Sequence, residues 1–217
     1  MKKMHGTGIK FVILALLFAL VFFGSFWVGR YDVSPLQTLR ILADWLLRTL
    51  SRGRLALAQT WQAREQAVVL NVRLPRVAAA ALVGAALSTA GCAYQGMFRN
   101  PMVSPDLLGA STGAGFGAAL AILLSLPYAF IQVNAFAFGI VAVGLAYFVC
   151  QRVSRGKDAI LMLVLGGMIV STLFSSFITL TKYVADPDSK LPEITYWLMG
   201  SLSTVNLQDI LFLLPPL

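Results

Sequence analysis

The residues that could carry acid–base or metal chemistry lie outside the long apolar runs of this sequence, or stand alone within them. His5, the only histidine, is in a polar N-terminal tail, and the two cysteines, Cys92 and Cys150, are far apart inside apolar runs. Neither cysteine has the spacing of a metal site or the setting of a disulfide, so we interpret both as small apolar fillers. We therefore expect no catalytic residue, no bound metal and no cofactor. The nine acidic residues all fall outside the cores of the runs: Asp32, Asp44, Glu65, Asp106, Asp158, Asp186, Asp188, Glu193 and Asp209.

The same distribution limits how this chain could drive transport. A proton-coupled carrier needs an ionisable group at membrane depth, and the only charge within a run is Lys10, near its end, where the side chain can snorkel. The only Gly-Lys pair, Gly156-Lys157, is followed by Asp158 and lacks the upstream glycine of a phosphate-binding loop. A partner must therefore supply the energy for any uphill transport, and a passive channel stays open as an alternative.

Composition indicates a membrane protein made of helices. Of the 217 residues, 58% are hydrophobic and 12% are charged, about half the charged fraction of a soluble domain. A sixth apolar run begins near Ile210 and is cut off at Leu217, so we expect one transmembrane domain over residues 1–217, truncated in its sixth span. Five runs are long enough to span a hydrocarbon core, which takes about 20 residues: Ile9–Gly29, Val77–Phe98, Leu107–Leu126, Phe130–Cys150 and Ala159–Thr181.

A polar corner joins the second of these runs to the third, and a stripe of glycines lies within the third. Gln95 lies near the end of the second run and is a further candidate for packing or for lining the pathway. The corner that follows the run holds Arg99, Asn100 and Pro101. Pro101 and Pro105 prevent the helix from continuing through the corner, and Asp106 is placed to cap the next helix. The three stripe glycines are four residues apart and so share nearly one face, which either packs closely against another helix or leaves room for a solute: Gly109, Gly113 and Gly117.

Residues 30–76 form the longest polar region, which we predict to be extramembrane or interfacial. Within it, residues 35–50 have apolar side chains at helical spacing, at positions 36, 39, 42, 43, 46, 47 and 50. Arg40, Asp44 and Arg48 follow at four-residue steps on the other face, which allows weak ion pairs. This pattern is typical of an amphipathic helix lying on a membrane surface, and binding of acidic lipid is the functional alternative.

Charge also bears on orientation. The net charge of +8 comes from loops and flanks, which indicates membrane topology rather than nucleic-acid binding. If the long 30–76 region is left out, the positive-inside rule places the N-terminus in the cytoplasm. The corner at residues 95–106 and the basic loop at residues 151–158 then face the cytoplasm, and the loop at residues 186–190 faces outward.

Several of these motifs together resemble the FecCD-type permeases of ATP-binding-cassette importers, which take up iron–siderophore complexes, haem or cobalamin. The resemblance covers roughly residues 73–201. Its elements are Arg73-Leu74-Pro75-Arg76, Val83–Leu87, Gln95-Gly96, Arg99-Asn100-Pro101, Pro105, Leu108-Gly109, Gly113-Ala114 and Tyr196–Ser201.

The resemblance implies a multi-pass, all-α permease subunit of the type II importer class in a bacterial inner membrane. The implied partners are a second permease subunit (in a homodimer or heterodimer), cytoplasmic ATP-binding subunits, an extracytoplasmic solute-binding protein and membrane lipid. It also implies that Arg73 and Arg76 dock the binding protein through its acidic residues, whereas a simpler interpretation is that they anchor the second span at the headgroups. A secondary carrier or channel for a small solute is the competing interpretation of the whole chain.

Overall fold

The computed structural model describes residues 2–101, 103–153, 159–207 and 209–210. Every regular element in these residues is a helix. The basic loop at residues 154–158 and the predicted sixth run at residues 211–217 lie outside the described residues. The α-helices are α1 (Lys2–Gly24), α2 (Pro35–Leu50), α3 (Ala63–Ala67), α4 (Leu74–Phe98), α5 (Ala110–Leu123), α6 (Tyr128–Val153), α7 (Ala159–Val184) and α8 (Lys190–Met199).

Three of the described helices are long and apolar enough to cross a membrane, whereas five runs were predicted to do so. They are Ala63–Phe98, Tyr128–Val153 and Leu161–Val184, with 36, 26 and 24 residues. Gly8–Gly24 and Ala110–Leu123 are apolar but shorter. The first run was predicted to reach Gly29, but α1 ends at Gly24.

The predicted third span, Leu107–Leu126, is wrong as a single helix. Pro105–Leu108 forms a 3₁₀-helix, and Gly109 has a φ of 77°, a left-handed conformation that a helix cannot continue through. The α5 helix therefore starts at Ala110 and has 14 residues. Its length is about 21 Å, against about 30 Å for a hydrocarbon core.

The helix that contains the second predicted span begins before that span, because the chain is helical from Ala63 onward. Pro75 was predicted to lie in a first turn, but it follows a π-helical segment, Val68–Arg73, inside the continuous helix. A proline in a helix removes one hydrogen bond and crowds the carbonyl four residues back. The wider π turn relieves this, and the Leu74 amide bonds to the Val69 carbonyl, five residues back.

Close contacts divide the chain into two units, which we describe separately. Unit 1 comprises Met1–Ala86 and Leu202–Leu217, and unit 2 comprises Leu87–Ser201. In unit 1, a small apolar core links the 30–62 segment to the π segment. Its buried side chains are Val33, Ile41, Trp61 and Val69.

Helix α2 packs against the rest of unit 1 through the face that was predicted to be solvated. Thr38, Ile41 and Asp44 are buried. Asp44 accepts hydrogen bonds from the Leu57 amide (2.8 Å) and from Arg48 Nε (2.6 Å). The predicted Asp44–Arg48 pair is thus present, but Asp44 is only 5% exposed and Arg48 is half-exposed, so the pair fastens α2 to the following loop.

In unit 2, α5 packs against α6, α7 and α8. One apolar core lies around its C-terminal half and includes Ile122, Ile131 and Ile194. A second lies between α6 and α7 around Ala142, Val170 and Phe174. Small side chains dominate α5, so neighbouring backbones approach closely.

Candidate functional site

The glycine stripe faces two different helices. A Cβ added to Gly113 would lie 2.6 Å from the Phe138 carbonyl oxygen, and one added to Gly117 would lie 2.4 Å from the Asn134 carbonyl oxygen. Both glycines therefore lie against the backbone of α6. Gly109 precedes α5, and a Cβ there would lie 3.0 Å from Ser171 Oγ on α7. Within this chain, all three positions are contact points between helices.

The Pro105–Leu108 turn is held against α7 by a second close approach. A Cβ added to Gly167 would lie 2.0 Å from the Leu107 carbonyl oxygen. The carboxylate of Asp106, predicted to cap the next helix, accepts a hydrogen bond from the Ser111 hydroxyl. The N-cap of α5 is Gly109, which has no side chain to make a capping bond.

Exposed hydroxyls follow one side of the C-terminal half of α7. Thr172, Ser176, Thr179 and Tyr183 are exposed and are spaced by four, three and four residues. We call them the hydroxyl face. The same side of the helix is apolar in its N-terminal half, where Leu161, Leu165 and Met168 are exposed.

Three of these side chains donate to the carbonyl four residues earlier in their own helix. Thr172 Oγ1 bonds to Met168 O at 2.9 Å, Ser176 Oγ to Thr172 O at 2.9 Å and Thr179 Oγ1 to Ser175 O at 3.0 Å. Their donors are satisfied, and the oxygens keep lone pairs that can accept. The hydroxyl face therefore offers weak acceptors along one side of the C-terminal half of α7.

The sequence contained a partial signal for this face. A row at strict four-residue steps on α7 runs through Gly167, Ser171, Ser175 and Thr179. In a helix of 3.6 residues per turn, positions four residues apart are offset by about 40° around the helix axis. The row consequently starts at buried Gly167, passes half-buried Ser171 and ends at exposed Thr179, whereas the hydroxyl face alternates steps of four and three.

Unit 2 contains an apolar cavity lined by residues of several helices. Its volume is about 870 Å³, and its lining includes Met97 of α4, Ala114 of α5 and Gly139 of α6. Ser111 and Tyr147 are the only lining residues with a hydroxyl. Such a lining suits hydrocarbon better than a charged or hydrated solute.

The polar corner begins with a Schellman-type helix end. Arg99 has a φ of 50°, and the Asn100 amide bonds to the carbonyl of Gln95 at 3.2 Å. A left-handed residue followed by this six-to-one bond is the usual way to close a helix. Gln95, Arg99, Asn100 and Pro101 are all exposed at this end of α4.

Arg73 is buried and binds the chain internally. Its Nη1 donates to the Phe26 carbonyl at 2.6 Å, and its Nη2 donates to the Tyr31 carbonyl at 2.5 Å. Only 7% of Arg73 is exposed, and Gly29 lies against its guanidinium, where a Cβ would be 2.7 Å from Nη2. This arginine closes the turn that follows α1.

Arg76 has a different environment, although it lies in the same short motif. It is half-buried, and its Nη2 donates to the Ser203 carbonyl. Its Nε is a buried donor with no partner among the described residues. The two arginines of the motif are therefore not equivalent, which the sequence did not indicate.

Comparison with known proteins identifies the family of this chain. The profile of the FecCD transport family matches residues 15–217. The chain belongs to the FecCD transport family.

Individual relatives agree with this assignment. The molybdate import system permease protein MolB of Haemophilus influenzae is 36% identical over 215 residues, which cover 99% of this chain and 58% of MolB. A Helicobacter pylori protein assigned as an iron chelatin transport system permease is 41% identical over 144 residues, covering 66% of this chain and 42% of that protein.

A solved structure matches the fold as well. It is an inward-facing conformation of an ABC transporter assigned to the metal-chelate type, with a TM-score of 0.72 and 34% identity. The match covers 92% of this chain and 55% of that one. The chain thus spans about half the length of the relatives it matches, and the predicted family and all-α fold are confirmed.

Proposed function

We propose that this protein forms part of a permease subunit in an ATP-driven importer. Its cargo would be an iron chelate, haem or cobalamin, carried across a bacterial cytoplasmic membrane. Molybdate is a further candidate, because the relative named for molybdate import is 36% identical over 99% of this chain. Membership of the FecCD transport family supports the proposal.

The observation that carries a route for the solute is the hydroxyl face of α7. Four exposed hydroxyl side chains lie along one side of a membrane-length helix. Three of them donate to their own helix, and their oxygens keep lone pairs that water or a polar solute can bond. We propose that the hydroxyl face lines the pathway, opposite a second permease subunit. The acceptor oxygens would suit a hydrated or hydroxyl-bearing chelate.

Uptake assays test this route. Cells with and without the gene for this protein would be offered an iron(III) chelate, haemin, cobalamin and molybdate. Ser176→Leu should abolish uptake of the transported compound, Ser176→Ala should only weaken it, and Leu173→Phe should leave it unchanged, because Leu173 is apolar, exposed and outside the hydroxyl face. Normal uptake by Ser176→Leu would place this face against lipid.

The energy source separates the importer from a secondary carrier or channel. The α7 segment of 159–184 contains no acidic residue, which disfavours proton coupling. We expect uptake to stop when ATP is depleted with the membrane potential intact, and to continue when an uncoupler collapses the potential while ATP is maintained. The reverse pattern would identify a secondary carrier, and insensitivity to both would identify a channel.

Orientation is proposed with a cytoplasmic N-terminus. Ser104, in the corner after α4, and Ser189, before α8, are both exposed and suit thiol labelling. With Cys92 and Cys150 replaced, an impermeant thiol reagent should label Ser189→Cys in intact cells, and Ser104→Cys only after permeabilisation. The opposite pattern would invert the orientation.

Docking of the solute-binding protein is proposed for the Arg73–Arg76 motif, with different tasks for the two arginines. Arg73 holds the turn through two internal hydrogen bonds, and Arg76, which is less buried, meets an acidic residue of the binding protein. Arg76→Glu should reduce binding-protein affinity and should be rescued by a reciprocal acid-to-arginine change. Exposed Arg64→Glu is the control. If both variants bind equally well, Arg76 has only an anchoring role.

A further inference from the structure

A stripe of leucines is exposed along α2, on the side opposite to its buried face. Leu36, Leu39, Leu46 and Leu50 are 58%, 46%, 51% and 75% exposed. Together with exposed Ala43, they are spaced by three and four residues, which keeps them on one side of a helix. We call these five residues the leucine stripe.

The orientation of α2 is fixed by its other side. Ile41 and Thr38 are each 1% exposed, and the buried carboxylate of Asp44 is held by the Leu57 amide. Turning the helix to bury the leucine stripe would expose Ile41 and break this hydrogen bond. The leucine stripe therefore stays outward in unit 1 and needs an apolar environment of its own.

The charges of the same segment indicate which environment that is. Residues 30–76 contain eight arginines and three acidic residues. Arg40 flanks the leucine stripe, and Arg52 and Arg54 follow the C-terminus of α2, where Leu55 and Leu57 are also exposed. Leucines beside exposed arginines match the layered chemistry of a membrane surface, with acyl chains below and anionic phosphates above.

The chain also keeps α2 close to such a surface. Ten residues separate α1, an apolar helix, from the start of α2, and twelve separate α2 from the membrane-length helix that begins at Ala63. Both connections are short, so α2 is tethered on each side to an apolar helix.

We propose that α2 is an interfacial anchor, with the leucine stripe inserted among the acyl chains. Arg40, Arg52 and Arg54 then pair with the phosphates of anionic lipid headgroups. Asp44, Arg48 and Leu57 position the helix from the opposite side. The proposal depends on the protein being in a bilayer and is independent of the transported solute.

Spin-label accessibility in vesicles tests the insertion. With Cys92 and Cys150 replaced by serine, single cysteines at Leu39 and Leu46 are compared with one at Gln59, an exposed polar position of the same segment. In vesicles containing phosphatidylglycerol, labels at 39 and 46 should collide with oxygen in preference to a water-soluble nickel chelate. The label at 59 should show the reverse preference.

The headgroup pairing is tested by lipid composition and by charge removal. In vesicles of phosphatidylcholine alone, the preference for oxygen at 39 and 46 should fall. Arg40→Gln, Arg52→Gln and Arg54→Gln combined should lower it equally in phosphatidylglycerol vesicles.

Three results would overturn the proposal. If the labels at 39 and 46 prefer the nickel chelate, as the label at 59 should, α2 lies in water. Labels shielded from both reagents would mean that protein, such as a second copy or a binding protein, covers the leucine stripe. Insertion that does not change with headgroup charge or with loss of the arginines would remove the anionic-lipid pairing.

Discussion

The two units of this chain reach a packed state by opposite means. Unit 1 buries charged side chains and satisfies them with backbone groups, as Arg73 does with the carbonyls of Phe26 and Tyr31. Unit 2 removes side chains altogether where helices meet, as at Gly113 and Gly117. The damaging change in unit 1 is therefore the removal of a polar side chain. In unit 2 it is the addition of a side chain where helices meet.

The difference reflects the surroundings of each region. The 25–62 segment of unit 1 is irregular apart from α2, so its backbone groups need side-chain partners. The helices of unit 2 satisfy their own backbone, and close contact is what remains to be gained between them. Substitutions in both units test this contrast, and we take them from the largest expected effect to the smallest.

The largest effect is expected for Gly117→Ala. The new Cβ would lie 2.4 Å from the Asn134 carbonyl oxygen, which is backbone and cannot move without displacing α6. We expect a loss of about 3 kcal/mol in stability. Thermal unfolding in detergent is followed with a fluorogenic maleimide that reacts with the buried thiol of Cys150, after Cys92→Ser.

Gly144→Ala is the matched control on α6. A Cβ there meets nothing within 4 Å, so alanine should be neutral or slightly stabilising through its higher helix propensity. Equal unfolding temperatures for Gly117→Ala and Gly144→Ala would contradict close packing. Gly113→Leu should disrupt the assembled permease for the same reason, whereas an assembled but inactive Gly113→Leu protein would indicate that the solute passes there.

In unit 1, Arg73→Met should cost about 2 kcal/mol, because the carbonyls of buried Phe26 and of Tyr31 lose their charged donors. Amide exchange in residues 25–34 should then accelerate about thirtyfold, as measured by hydrogen–deuterium exchange with mass spectrometry. Arg64→Met, at an exposed position, should leave exchange unchanged. Unchanged exchange in Arg73→Met would mean that the turn is held by something other than this arginine.

A smaller, graded effect is expected at Asp44. Asp44→Asn keeps an oxygen for the Leu57 amide but loses the charge pair with half-exposed Arg48, at a cost of about 1 kcal/mol, whereas Asp44→Ala loses both, at about 2 kcal/mol. The readout is the exchange rate of the Leu57 amide, with exposed Asp32→Ala as the control. Identical exchange rates in the asparagine and alanine variants would mean that the hydrogen bond from the Leu57 amide contributes nothing to stability.

The smallest effect is a gain. Ser125 follows α5 in a left-handed conformation, with a φ of 55°, and the next amide bonds to the Ala121 carbonyl at 3.0 Å. Glycine adopts this conformation without steric cost, so Ser125→Gly should stabilise unit 2 by about 1 kcal/mol. Ser125→Ala should give no such gain, because alanine also carries a Cβ. Equal stability of the two variants would contradict a backbone origin.

The sequence predicted helices wherever apolar residues run long, and it located α2, because hydrophobic spacing is a local property. It could not predict where α5 begins, since the left-handed Gly109 is set by its contacts with Ser171 and Gly167 on α7. It could not show that Arg73 is buried, because its partners are carbonyls more than 40 residues away in the chain. Pro75 was misplaced because a π turn accommodates it inside a continuous helix.

The side-chain bonding along α7 has a mechanical consequence. Between Met168 and Phe177, four carbonyls accept a hydroxyl from four residues later: those of Met168, Thr172, Ser175 and Phe177. These carbonyls also belong to the backbone ladder, and sharing them weakens the ladder and favours bending. This half of α7 is therefore more compliant than the aliphatic half before it, so a load on the helix would flex it beside the hydroxyl face.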